Sequence, residues 1–214
     1  MASPLNLYGL ILAAGASSRM GREKALLPWP AHSSSETLLS AAIRALRPFA
    51  REVIVVAGQN AARLAAAAAS SGAVLVVNAA PERGQFSSLQ TGARAALDRG
   101  CDAAMITPVD CPPLSAASLQ LLRAAFEQAL ARGAWAVAPE RAGRRGHPLF
   151  AARPLLEAYL AAPVSSNARA VKQAHLERFE SLSVPDPLLT VDVNTPEEYA
   201  GLAESPLELF KSES

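Results

Sequence analysis

Cysteine is scarce in this sequence, neither sign of charge prevails, and no hydrophobic run is long. The 214 residues include two cysteines, Cys101 and Cys111, too few for a disulfide framework or a cysteine-built zinc site. The formal net charge is +1, so no overall field attracts nucleic acid or an anionic membrane, and neither partner is expected. Leu64 to Val77 is the longest apolar stretch past the N-terminus, but Ser70, Ser71 and Gly72 interrupt it and it is too short to span a bilayer. Leu7 to Ala16 is apolar too, yet no Lys or Arg precedes it as a secretory signal requires. It reads as a buried first strand, and the cytoplasm is the expected location. Familiar catalytic signatures are also missing. There is no G-x-G-x-x-G, no Walker A loop, no G-x-S-x-G elbow, and no Cys/His pair. His32, His147 and His175 are scattered without metal-ligand spacing.

What is present is a globular chain, half of it apolar. Its length suits one domain, expected over residues 1–203, with 204–214 as a flexible tail. Leu7 to Ala13, Glu52 to Ala57, Ala73 to Val77, Ala103 to Thr107 and Ala134 to Ala138 are short runs rich in Val, Ile, Leu and Ala. Such near-continuous hydrophobicity suits strands covered on both faces. Between them Thr37 to Leu46, Ala61 to Ala69, Ser87 to Leu97 and Ser115 to Ala131 carry apolar residues at helical spacing. Ser115 is placed to cap a helix, and Gly72, Gly100 and Gly133 fall where helices should end. The alternation predicts an α/β fold: a doubly wound, mostly parallel, Rossmann-like sheet. After Pro139 the pattern changes. Glu140 to Gly146 reads as a polar turn leading into Pro148 to Phe150, a small added hairpin or strand. Val191 to Val193 reads as a late short strand, with Pro196 opening a final helix. Trp29 and Trp135 are expected in the core.

Chemistry is expected where the first strand ends, because ligands of open α/β sheets bind beyond the carboxyl ends of strands. There the chain reads Leu12-Ala13-Ala14-Gly15-Ala16-Ser17-Ser18-Arg19-Met20-Gly21-Arg22-Glu23-Lys24. Two glycines allow a sharp turn that brings backbone N–H groups near an anion. Ser17 and Ser18 add hydroxyls, and Arg19 and Lys24 add cations for phosphate oxygens. An ordinary surface turn is the alternative, disfavoured by small residues and two cations within ten positions.

Three further segments bear on the same edge. Pro108-Val109-Asp110-Cys111 follows the fourth expected strand, so Asp110 should project from its carboxyl end. In Val191-Asp192-Val193-Asn194, Asp192 and Asn194 share one side of the expected strand. Carboxylate and amide oxygens are what Mg²⁺ accepts. Taken singly, Asp110 reads equally as a turn or cap residue and Asp192 as a solvated strand-end charge. Gly84 to Gly92 is a loop entering a helix, in which Ser87 or Ser88 either caps the helix or reads the edge of a base. Arg141, Arg144 and Arg145 are a charge run able to contact an anionic acceptor. Cys111 is either a reactive thiol or a small buried apolar residue.

The string Leu12 to Lys24 is similar to the signature of the MobA-like nucleotidyltransferases, which attach CMP or GMP to molybdopterin. The cytidylyl-transferring branch looks closer. It favours Ala-Ala-Gly, as in Ala13-Ala14-Gly15, where the guanylyl branch favours Ala-Gly-Gly. It also has Gly-x-x-x-Ser-Leu-x-x-Gly, matched by Gly84, Ser88, Leu89 and Gly92. Gly-His-Pro is matched by Gly146, His147 and Pro148, and Asp-x-Asp-Thr-Pro-Glu by Asp192, Thr195, Pro196 and Glu197. Three residues depart from the pattern: Gln85 stands for the common Met, Val109 for Gly, and Asn194 for the second Asp.

The resemblance implies transfer of CMP from CTP to the phosphate of molybdopterin with release of pyrophosphate. It implies Mg²⁺, or Mn²⁺, held by Asp110 with Asp192 or Asn194. Arg19 would stabilise the departing pyrophosphate and Lys24 the α-phosphate. Leu12, Ala13, Ala14, Gly15, Ser17, Ser18 and Ser88 would line the nucleotide, and Gly146 and His147 the acceptor. A molybdenum hydroxylase, or its chaperone, would be the recipient. Three alternatives stay open: GTP as donor, a sugar phosphate or similar acceptor, and a non-catalytic nucleotide-binding module.

Overall fold

All six residues of the strand Leu7–Leu12 (β1) are buried, as its unbroken apolar run requires. Alternate side chains leave opposite faces. Leu7 and Ile11 therefore enter one core, and Tyr8, Leu10 and Leu12 another. The computed structural model describes residues 5–31 and 36–204. His32 and residues 205–214 of the expected tail lie outside that range.

β1 is paired in parallel with Glu52–Ala57 (β2) on one side and Ala103–Pro108 (β4) on the other, with Leu10 opposite both Ile54 and Ile106. Val74–Val77 (β3) extends the sheet beyond β2, again in parallel. The far half is mixed. Leu149–Ala152 (β7) is antiparallel to both β4 and Ala136–Arg141 (β5), so β5 runs the same way as β4. β5 forms a hairpin with Arg144–Arg145 (β6) and pairs in parallel with Phe179–Ser183 (β8). The eight-stranded sheet has the order β3-β2-β1-β4-β7-β5-β6, with β8 also on β5.

Helices cover both faces. Leu38–Leu46 (α1), Ala61–Ser70 (α2) and Ala116–Ala131 (α4) pack on one core through Leu39, Ile43, Leu64, Leu122 and Phe126. Gln85–Leu97 (α3) and Arg153–Ala161 (α5) pack on the other through Leu89, Ala93, Leu155 and Tyr159. Each fully buried Leu or Ile contributes about 1.5–3 kcal/mol of transfer free energy. Thr37 and Ser40 form a reciprocal cap on α1. Ser115 caps α4 through the Ser118 amide, and Gly72, Gly100 and Gly133 have the positive φ of helix ends. Trp29 is buried and Trp135 is partly buried on the second core. Among the described residues no helix is long and apolar enough to cross a membrane.

Two sequence expectations need correction, and one stretch of structure carried no expectation. Val191 to Val193 is extended but pairs with no strand. It follows a 3-10 turn, Pro187–Thr190, to which the Val191 amide bonds through the Leu188 carbonyl at 3.1 Å, and is tied to the sheet edge by the Val193 amide on the Asp110 carbonyl, 2.8 Å. Neither Ser87 nor Ser88 caps α3, which starts at Gln85 with Gly84 as its N-cap. The chain between 153 and 183 also holds structure that its sequence did not announce: α5, Ala168–Ala174 (α6) and β8. The final helix, Pro196–Glu204 (α7), begins at its proline as expected.

Candidate active site

The loop after β1 is fastened at its root. The Ala13 amide donates to the Val56 carbonyl at 2.8 Å, and the Val109 amide to the Leu12 carbonyl at 3.0 Å. Asn60, beyond the end of β2, holds the loop from the side. Its Nδ2 donates to the Ala13 carbonyl at 2.8 Å and to Glu23 Oε2 at 3.1 Å, while its Oδ1 accepts the Gly58 amide at 3.0 Å. The loop then closes on Ser17, whose φ is +51°. Ser17 Oγ accepts the Lys24 amide at 3.1 Å and donates to Glu23 Oε1 at 3.5 Å. Among the described residues the backbone amides of Gly15 to Arg19 have no acceptor, which leaves them free for an anion.

Asp110, just past β4, faces this loop. Lys24 Nζ lies 3.3 Å from Asp110 Oδ2 and donates to Asn194 Oδ1 at 3.0 Å. Arg19 reaches the same Asn194 oxygen at 3.4 Å. Asn194 is placed by the Val193–Asp110 backbone bond and by Glu198, whose Oε2 accepts the Asn194 amide at 2.7 Å. Two cations thus meet one carboxylate and one amide oxygen, and the four side chains come from three separate segments of the chain.

A cleft of about 340 Å³ opens over this cluster, a size suited to a small ligand. Leu12, Ala14, Gly15, Ser17, Ser18, Arg19, Lys24, Ser88 and Asp110 line it. Ala13 does not; it is buried in the core and contributes its carbonyl to Asn60. A second cavity, about 290 Å³, adjoins the first and shares Gln85, Pro108 and Asp110 with it. Arg144, Arg145, Gly146, His147, Asp192 and Asn194 line the second cavity; Arg141 is exposed and lies outside it. Apart from Ala13, Ser87 and Arg141, the candidate residues therefore line one of two chambers that meet at Asp110.

Close packing shapes the second chamber. A side chain at Gly146 would collide with the Leu189 carbonyl, so the strand-like backbone there can approach only because the residue is glycine. His147 Nδ1 lies 3.3 Å from the Ile106 carbonyl. A carbonyl accepts only, so Nδ1 carries the proton and Nε2 the lone pair. Burial lowers the His147 pKa against the opposing pull of the Ile106 carbonyl, Asp192 and Asp110, which keeps the ring neutral at pH 7. Cys111 Sγ donates to Asp192 Oδ1 at 3.3 Å. Burial first, and then the neighbouring Asp110 and Asp192 carboxylates, push its thiol far above the usual range. It is an inert donor, not a nucleophile.

Asp110, Asp192 and Asn194 offer hard oxygen donors, the type that Mg²⁺ and Mn²⁺ take. Asp110 and Asn194 already converge on one cation, the Lys24 ammonium, so their placement fits a divalent ion. No group of three His, Cys, Asp or Glu side chains forms a metal cage among the described residues. Such an ion would therefore draw further ligands from water and substrate phosphates, as Mg²⁺ usually does.

Three positions escaped the sequence reading. Asn60 and Asn78 carry no motif of their own, and Glu23, though inside the Leu12–Lys24 string, has no role assigned from sequence. The two asparagines lie just beyond the carboxyl ends of β2 and β3, at the same sheet edge as Gly15 and Asp110, and that position was the available signal.

Comparison with known proteins decides the family. A model of the MobA-like NTP transferase domain matches residues 9–180. The chain belongs to the MobA-like NTP transferase family. The match includes the loop after β1, Ser88, Asp110 and His147, and stops before Asp192 and Asn194. A Rhodopirellula baltica protein named probable molybdenum cofactor guanylyltransferase is 31% identical over 187 residues, 86% of this chain and 82% of that protein. The Escherichia coli molybdenum cofactor cytidylyltransferase is 25% identical over 191 residues, 89% and 92% of the two chains. The crystal structure of Rv0371c from Mycobacterium tuberculosis superposes with a TM-score of 0.74 at 26% identity, covering 95% of this chain and all of that one. This MobA-like protein is accordingly a nucleotidyltransferase of Rossmann-like fold that uses a nucleoside triphosphate.

Proposed function

We propose that the protein transfers CMP from CTP to the phosphate of molybdopterin and releases pyrophosphate. One observation carries this reading: the Gly15–Lys24 loop and Asp110 face each other across a cleft, and a second chamber joins it at Asp110. The triphosphate lies in the first chamber and the phosphorylated acceptor in the second. An acceptor phosphate oxygen attacks the α-phosphorus, and the bond to the β-phosphate breaks to expel pyrophosphate. No general base is needed, because a phosphate monoester is already ionised at pH 7.

Charge is the physical obstacle. Two unit like charges about 4 Å apart repel by roughly 4 kcal/mol at an effective dielectric of 20. Free amides of the loop, Arg19 and Lys24 offset that repulsion, Arg19 on the departing pyrophosphate and Lys24 at the α-phosphate. Each charge-assisted contact contributes about 1.5–3 kcal/mol. A divalent ion held by Asp110, with Asn194 or Asp192, would supply further neutralisation of the phosphates. Arg144, Arg145 and His147 meet the acceptor, and a molybdenum hydroxylase or its chaperone receives the product.

Ala14 favours CTP: its methyl group stands in the cleft wall where the guanylyl branch has glycine, which leaves less room for a purine. The Rhodopirellula baltica relative's name favours a second reading, GTP as donor. A pyrophosphate-release screen over CTP, GTP, ATP and UTP with Mg²⁺, with and without molybdopterin, tests both. Release with CTP only when molybdopterin is present is the expected outcome. Preference for GTP selects the second reading, release only with a sugar phosphate removes the acceptor assignment, and silence throughout marks a non-catalytic nucleotide-binding module.

A further inference from the structure

Buried beneath the first chamber is an asparagine to which no catalytic motif points. Asn78 is 4% exposed, and its three hydrogen bonds define its orientation without ambiguity. The Ala80 amide, 3.0 Å away, can only donate, so the side-chain atom facing it is the oxygen. The nitrogen then faces the two serines of α3, donating to Ser87 Oγ at 2.8 Å and to Ser88 Oγ at 3.0 Å. Both amide hydrogens are thereby committed, and both serines are forced to accept.

The serines differ in what they do with their own hydrogens. Ser87 turns inward, with the Gly84 carbonyl at 2.8 Å and the Ala80 carbonyl at 3.1 Å. Ser88 is 3% exposed and has no acceptor for its hydrogen among the described residues, yet it lines the cleft beside Leu12, Gly84 and Pro108. A buried hydroxyl with an unused hydrogen is costly until a ligand supplies a lone pair.

We propose that Asn78 is a positioning residue for nucleotide selection: by occupying the acceptor side of Ser88, it fixes that hydroxyl as a donor into the cleft, so the pocket selects a base presenting a lone pair there. This rests on the first chamber being the nucleotide site. Asn78→Asp keeps the shape and still accepts the Ala80 amide, but its second oxygen now accepts from the serines, which turns Ser88 from donor to acceptor at the cleft.

The test is steady-state pyrophosphate release by the full chain with each of the four nucleoside triphosphates. Asn78→Asp should raise KM for the preferred nucleotide by about tenfold, the scale of one lost buried hydrogen bond, with kcat little changed and preference among the bases reduced. Adding Ser88→Ala to Asn78→Asp should then cost nothing further, whereas Ser88→Ala alone should cost about as much as Asn78→Asp. Asn78→Ala leaves Ser88 free to donate or to accept at the cleft, so its base preference should weaken, though less than in Asn78→Asp; it also serves if the aspartate variant does not fold. Unchanged base preference in folded Asn78→Asp, or, where that variant does not fold, unchanged preference in folded Asn78→Ala, overturns the inference. Failure of the unsubstituted protein to use any nucleotide would instead remove the functional reading beneath it.

Discussion

The Lys24 ammonium sits 3.3 Å from Asp110 Oδ2, joining the loop after β1 to the end of β4 across the floor of the first chamber. Lys24 is almost wholly buried, while the Asp110 side chain keeps 30% of its exposure. The pair therefore places a fixed cation at the floor of the chamber and leaves the carboxylate open to the cavity.

Asp110→Ala should consequently separate activity from stability. Removing a partly exposed carboxylate creates no apolar cavity, so the melting temperature should move by only a few degrees. Turnover should fall by at least about 10²–10³-fold, the usual cost of losing one preorganised electrostatic contact. Pyrophosphate release and a thermal melt on the same sample check both. A folded variant that retains metal-dependent release would overturn the assignment of Asp110 to the reaction.

Asn60 tests whether the loop must be held to bind. Asn60→Ala removes the bonds to the Ala13 carbonyl, Glu23 and the Gly58 amide together. A stability loss of roughly 1–3 kcal/mol is expected in urea titration. KM for the nucleotide should rise while KM for the acceptor stays constant, because Asn60 touches only the first chamber's loop. Equal rises in both would indicate a general loosening of the sheet edge.

The half of the molecule that builds the first chamber was legible in the sequence for a physical reason. β1, β2 and β4 are covered on both faces, so their hydrophobicity is continuous; β3 at the sheet edge is only half-buried but keeps an unbroken apolar run, and the helices between them need strong apolar stripes. Beyond β5 that constraint relaxes. Every residue of β8 is exposed or half-buried, and α6 buries only Val171, so neither carries a periodic signal. Val191-Asp192-Val193 alternates like a strand, yet it is tied by single bonds to Leu188 and Asp110 and not by a ladder. Gly15, Lys24 and Asp110 were readable from their chemistry at strand ends. Asn60 and Asn78 were not, because their roles are to bond other residues, which only the packed structure displays.

The cysteines predict a pH dependence. Burial pushes the Cys101 thiol up to about 12, against about 8.5 for an unfolded cysteine. The folded protein keeps a proton that the unfolded chain releases, so this contribution is intact below about pH 8.5. It declines as pH rises from there towards about 12, by roughly 1.4 kcal/mol per pH unit. Urea unfolding at pH 7.5 and pH 10 should show the decline, and Cys101→Ala should make it shallower. Cys111 shifts in the same direction, so neither thiol should react with iodoacetamide at pH 8 until urea unfolds the chain. Fast labelling of the native protein would contradict the burial of Cys101 and the raised pKa of Cys111.

Gly146 tests the second chamber apart from the first. The ideal Cβ of Gly146→Ala meets the Leu189 carbonyl, with the Leu189 side chain at 2.7 Å. A backbone carbonyl cannot swing aside as a flexible side chain can, so either the β5–β7 connection or the Pro187–Thr190 turn must shift. Overpacking of this kind costs about 1–3 kcal/mol. The displaced residues, His147 and Thr190 among them, line the second chamber and not the first. KM for the acceptor should therefore rise by about tenfold or more, while nucleotide binding measured without acceptor stays within about twofold, a misplacement effect of the kind expected when a reactant is held in the wrong geometry. Loss of nucleotide affinity in a folded Gly146→Ala variant would mean that the two chambers are not separable, and would return the acceptor to the first.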